Sequence, residues 1–131
     1  MKNRKPFVSI VVPLLNDQKR IENAVESLLN QTYPKELMEI IVVDNGSIDG
    51  SAEKVVQYPI KLLYEFENIG PGAARNRGIE VSIGDVLVFM DSDCVAEPDW
   101  LEKGIGAMIS NDVELVAGDI HFVFSEDKNA A

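Results

Sequence analysis

Three short β-rich apolar runs, Val8 to Val12, Ile40 to Val43 and Val86 to Met90, each stop at polar residues, and helix-patterned segments separate them. The wholly apolar run Val86 to Met90 reads as a strand buried on both faces, and a parallel sheet provides such strands. After the first run, Ile21, Ala24, Val25, Leu28 and Leu29 follow the i, i+3, i+4, i+7, i+8 spacing of an amphipathic helix that stops before Pro34. Glu39 to Asp44 reads as the second strand. The polar loop Asn45 to Gly50 then leads into a short helix through Ala52, Val55 and Val56. Ile60 to Glu65 is a third strand, Gly70 to about Val81 a helix rich in alanine and arginine, and Val86 to Met90 a fourth strand. Pro98 suits the first turn of another helix, on which Trp100, Leu101, Ile105 and Met108 line one face, and a last strand is expected over Leu115 to Phe124. The alternation predicts an α/β fold: a mostly parallel sheet with helices on both faces, in a single domain over 1–131.

Charge limits what such a domain can bind. The chain carries a net charge of −10, so it offers no general electrostatic field for nucleic acid. A nucleotide diphosphate would also be repelled unless a metal ion and a few local arginines reverse the sign at the site. The one cysteine, Cys94, cannot form an internal disulfide, and that count fits a reducing compartment. Lys2, Arg4 and Lys5 ahead of Phe7 to Leu15 imitate a short signal peptide, but Pro13 interrupts the run and no small-residue cleavage site follows. It reads as the first strand. No segment approaches the roughly 18 apolar residues of a membrane span, so a soluble, cytoplasmic chain is expected.

Parallel strands place their carboxyl ends on one edge, where ligands of α/β sheets bind. The first strand ends at Pro13 to Asn16, the second at Asp44 to Ser47, and the fourth at Asp91 to Asp93. Two carboxylates separated only by Ser92 repel unless a cation lies between them, and a hard divalent ion with oxygen ligands fits. The same DxD can equally begin a turn or cap a helix. Asp44 can accept hydrogen bonds from a base or ribose, or cap its own loop beside Asn45-Gly46. In Asn68 to Gly78, Gly70 and Gly72 permit close backbone approach at a helix start, while Arg75 and Arg77 can meet phosphate oxygens, Arg77 being as readily a solvated side chain. The segment fails as GxGxxG because Arg75 stands at the third glycine. Cys94 and Trp100 read as packing residues, and Asp17, Glu97 and Asp99 as helix-start residues.

These segments together resemble the family 2 glycosyltransferases, which have the GT-A fold. The matching elements are Val8 to Pro13 with Asn16, Ser27 to Gln31, Glu39 to Asp44 with Gly46-Ser47 and Asp49-Gly50, Asn68 to Gly70, Ala74 to Gly78, and Gly84-Asp85 leading to Asp91-Ser92-Asp93. The resemblance implies a Rossmann-like half that binds a nucleotide-diphosphate sugar, with Mn²⁺ or Mg²⁺ held by Asp93 and Asp91. Nucleotide contacts are then expected from Pro13, Leu15, Asn16, Asp44, Asn45, Gly46, Asn68, Gly72, Arg75, Asp91 and Ser92. Leu15 stands where many relatives have tyrosine and Ile48 where threonine is common, which puts base stacking and a hydroxyl donor in question.

The implied reaction is metal-dependent transfer of a sugar, from UDP in the first instance, to a saccharide or lipid-linked acceptor with inversion, as in polysaccharide biosynthesis at the inner membrane face. A non-catalytic nucleotide-binding module is the alternative. In the family the catalytic base and acceptor region lie downstream, so the chain is expected to stop before them. Asp119, in the last apolar run, is the one weak candidate for the base, and an uncovered final strand favours pairing with a second copy.

Overall fold

A computed structural model describes residues 5–111. Four parallel strands, β1 (Val8–Leu14), β2 (Met38–Asp44), β3 (Lys61–Tyr64) and β4 (Val86–Phe89), form one sheet in the order β3-β2-β1-β4. Three helices accompany them: α1 (Ile21–Leu29), α2 (Pro71–Val81) and α3 (Trp100–Asn111). The chain steps outward from β1 to β2 to β3, then returns through α2 to lay β4 on the other side of β1. Strand order therefore reverses between β1 and β4, and a doubly wound sheet opens its ligand crevice at such a reversal.

The two faces are built differently. Alternate residues of β1 and β2 (Val8, Ile10, Val12, Leu14, Ile40, Val42) pack with Ile21, Ala24, Val25 and Leu28 of α1 and Leu101 and Ile105 of α3 in the main core. Full burial of each large aliphatic side chain contributes about 1.5–3 kcal/mol, so this face carries most of the hydrophobic stabilisation. Trp100, Met108 and Cys94 pack against it as expected. On the opposite face Val11, Ile41, Val43 and Ala74 make a smaller cluster beneath α2. Gly78 lets α2 come that close: a Cβ there would stand 2.5 Å from Val11 Cγ1.

Two sequence expectations need correction. The fourth strand is not buried on both faces: Leu87 and Phe89 are 40% and 41% exposed, because β4 is an edge of the described sheet and α2 lies over β1 and β2. Nor does Ala52 begin a regular helix; Ala52–Lys54 is one 3₁₀ turn, and Val56 faces solvent. The expected strand over Leu115 to Phe124, with Asp119, lies outside the described residues.

Candidate functional site

The crevice starts with a proline. Val11 O accepts the Met90 N–H at 3.1 Å, so β1 residues of odd number turn their backbone toward β4, and Pro13, next in that series, has no N–H to offer. The β1/β4 register accordingly ends at Val11↔Phe89, and the two chains part beyond it. Leu15, Asn16 and Asp17 follow on one side of the gap, and Asp91, Ser92 and Asp93 on the other.

The neighbouring loops are tied down by side chains that sequence reasoning assigned to the nucleotide. Asn16 adopts φ 49°, a conformation asparagine tolerates better than most residues. Its N–H donates to Ser47 Oγ and its Oδ1 accepts the Ile48 N–H, both at 2.8 Å. Buried Asn45 donates through Nδ2 to Glu65 O (2.7 Å) and Asn68 O (3.0 Å), while its Oδ1 accepts the Gly70 N–H (2.7 Å). That amide locks the end of β2 to the start of α2. Asp44 is only 2% exposed and accepts the Ser47 N–H through long bonds of 3.3 and 3.4 Å, which leaves its carboxylate acceptor capacity in reserve. Gly46 reaches φ 102° in the same loop. Leu15 and Ile48 are both exposed at the rim. Gly72 sits in the exposed first turn of α2 with open space around its Cα.

Arg75 and the two aspartates come together. Arg75 Nη2 lies 3.5 Å from Asp91 Oδ1, whereas Arg77 is a surface residue pairing with Glu80 on its own helix. Asp91, Asp93 and Cys94 present donor atoms within 4.8 Å of one another. Burial, then the charge of Asp93, pushes the Cys94 thiol up to about 11, so Cys94 is a protonated packing residue. The turn closes on itself through the Cys94 N–H to Asp91 O bond at 3.1 Å.

Asp17 does stand at the helix start, its carbonyl accepting the Arg20 and Ile21 N–H groups, but sequence reasoning missed the role of its carboxylate. Its side chain caps nothing; α1 begins at Ile21 without a side-chain cap, and the Asp17 carboxylate instead reaches Arg20 and Ser92. The available signal was its place one residue after Asn16, at the end of the strand that β4 adjoins.

A sequence model for Glycosyl transferase family 2 matches residues 9–131. The chain belongs to that family. Glycosyltransferase AglE of Haloferax volcanii is 39% identical over 136 residues, an alignment covering 100% of this chain and 45% of the relative. The putative teichuronic acid biosynthesis glycosyltransferase TuaG of Bacillus subtilis is 38% identical, with coverage of 83% and 44%. The chain thus spans less than half the length of these curated relatives. Among solved structures, S. aureus TarS in complex with UDP matches at TM-score 0.72 and 31% identity, over 79% of this chain and 32% of that one. The mannosyltransferase PcManGT of Pyrobaculum calidifontis, in complex with GDP-Man and Mn²⁺, matches at TM-score 0.67 and 29% identity, over 72% and 29%. The α/β fold of the described residues, a four-stranded parallel sheet with helices, matches these solved glycosyltransferase structures.

The donor set fits a hard divalent cation. Two carboxylates present oxygens within 4.8 Å of each other beside the Cys94 thiol, and a metal held so sparsely would keep positions for phosphate oxygens and water. Among the described residues no helix is long and apolar enough to cross a membrane.

Proposed function

We propose that this chain forms the donor-binding part of a metal-dependent glycosyltransferase that moves a sugar from UDP to a saccharide or lipid-linked acceptor with inversion. The observation that carries the reading is the meeting of Asp91, Asp93 and Arg75 at the point where strand order reverses. In a chain of net charge −10, that is where a diphosphate finds neutralisation. Solved relatives with UDP and with GDP-Man plus Mn²⁺ support the ligand class.

In the proposed reaction an acceptor hydroxyl oxygen bonds to the anomeric carbon as the bond from that carbon to the diphosphate oxygen breaks, and the hydroxyl proton passes to a carboxylate base. A cation held by Asp93 and Asp91 would neutralise charge on the leaving diphosphate. Arg75 moves its guanidinium from Asp91 to a phosphate oxygen, a fork that matches phosphate geometry. Asp44 accepts a hydrogen bond from the base or ribose. We place the proton acceptor downstream of Asn111, with Asp119 the first residue to test.

Calorimetric titration with UDP tests the core of this reading. Binding is expected with Mn²⁺ and is expected to disappear largely with a chelator or in Asp93→Asn. Equal binding under all three conditions would sink it.

A further inference from the structure

The structure assigns Asp17 as the residue that positions the metal-binding turn, acting through Ser92. This rests on the reading of Asp91 and Asp93 as metal ligands and names what holds them in place. Ser92, the residue between the two carboxylates, donates its Oγ–H to Asp17 Oδ2 at 2.6 Å, across the gap between β4 and β1. The other oxygen of Asp17 accepts from Arg20 Nε at 2.7 Å. Behind it, the Asp17 N–H donates to Ser51 Oγ at 2.8 Å, and Asp17 O accepts the N–H groups of Arg20 and Ile21 at 3.1 and 2.9 Å. Asp17 is therefore anchored on three sides and only 8% exposed.

The arrangement meets a specific physical need. Asp91 and Asp93 repel each other, and past Phe89 the turn has lost the β-ladder that fixed the strand. Backbone hydrogen bonding alone, Met90 to Val11 and Cys94 to Asp91, leaves the outer part of the turn free to splay. The Ser92 bond ties the middle of the turn to the segment that follows β1, so the two carboxylates are held together before a cation arrives. Asp17 is not itself counted as a third ligand, because it lies outside the Asp91, Asp93, Cys94 group. Its own charge is balanced by Arg20. Residues that orient metal ligands from behind typically change metal affinity when removed, although they never touch the ion.

The test measures Mn²⁺ affinity in the presence of UDP, by calorimetry on the full chain, alongside thermal melting. Ser92→Ala is expected to weaken Mn²⁺ about tenfold, within the range for lost outer-shell support, with an unchanged melting temperature. Ser92→Thr, which keeps the hydroxyl, is expected to restore wild-type affinity. Asp17→Ala should weaken Mn²⁺ to a similar degree, and the double variant should be no worse than the weaker single one. Should Asp17→Ala fail to fold, the Ser92 pair decides alone. Wild-type affinity in Ser92→Ala, or losses that simply add in the double variant, would overturn the assignment while leaving the metal site intact. A flat titration of the wild-type protein would instead remove the metal reading and this inference with it.

Discussion

The guanidinium of Arg75, on α2, rests 3.5 Å from Oδ1 of Asp91, the first carboxylate after β4. Both side chains are well exposed, at 39% and 66%, so the pair adds little to folding stability. On the proposed reading its consequence is for binding: Arg75 partly cancels the charge of Asp91 and would turn from it to a phosphate of the donor. Arg75→Ala is expected to weaken Mn²⁺-dependent UDP binding by about 1.5–3 kcal/mol, the range for hydrogen bonds to charged groups, with the melting temperature unchanged. Arg75→Lys should recover only part, since an ammonium cannot reproduce the fork. Undiminished UDP affinity in Arg75→Ala would show that the arginine serves only Asp91.

Asp44 is buried at the end of a different strand from the metal pair, and its bonds to Ser47 are long. If its carboxylate is held for the base or ribose, Asp44→Ala should weaken UDP by about 1–3 kcal/mol while the requirement for Mn²⁺ persists. A structure with UDP bound away from Asp44 would refute this role, and the Ser47 bonds would then be its whole purpose.

The placement of Arg75 depends on how closely α2 lies against β1. In Gly78→Ala the new methyl would stand 2.5 Å from Val11 Cγ1 and 2.9 Å from Val11 Cγ2, so the helix or the strand must move. Overpacking of this kind costs about 1–3 kcal/mol, read as a lower urea midpoint. Because the obstacle is the Val11 side chain, adding Val11→Ala should relieve part of the strain. The double variant should then lose clearly less than the sum of the two single losses. Simple additivity would mean that α2 adjusts elsewhere.

How far the sequence foretold this site follows from what kind of information each part needed. Strands β1 and β2 were legible because their apolar runs are buried on both faces, whereas Val86 to Met90 shows the same run with Leu87 and Phe89 exposed. Apolar pattern alone does not separate a covered strand from an edge. Asp91 and Asp93 stood out because a polar pair ends an apolar strand, and Arg75 because its segment offered positive charge; the structure brings Arg75 to Asp91. The Ser92 to Asp17 bond was not legible, since it depends on β4 returning to lie beside β1, an order that periodicity does not encode. Asn45 stood out only as a strand-end polar residue; its bonds to Glu65, Asn68 and Gly70, which lock two loops together, depend on tertiary placement that the sequence pattern does not carry.

At the amino-terminal end of the strands a partly buried carboxylate, Glu39, makes stability depend on pH. Burial disfavours the ionised form of Glu39. Hydrogen bonds from Ser9 Oγ (2.5 Å) and the Ile83 N–H (2.9 Å), with Lys61 Nζ at 3.0 Å, outweigh that and hold its pKa below the ordinary 4.5. Ser9 Oγ in turn accepts the Gly84 N–H at 2.8 Å, so the cluster pins the loop joining α2 to β4. A carboxyl with a depressed folded-state pKa stabilises fully above its unfolded value and loses that stabilisation as pH falls through the folded one. The Glu39 contribution should therefore be complete at neutral pH and fade below 4.5. Glu39→Gln should cost about 1–3 kcal/mol at neutral pH, because Lys61 loses its partner and one carboxamide cannot accept every bond. In urea denaturation the gap between wild type and variant should narrow steadily on acidification below 4.5. UDP affinity at neutral pH should stay unchanged, since Glu39 lies at the amino ends of the strands and the crevice at their carboxyl ends. A stability gap that persists undiminished into acid would mean that Glu39 acts by shape alone and that its charge contributes nothing.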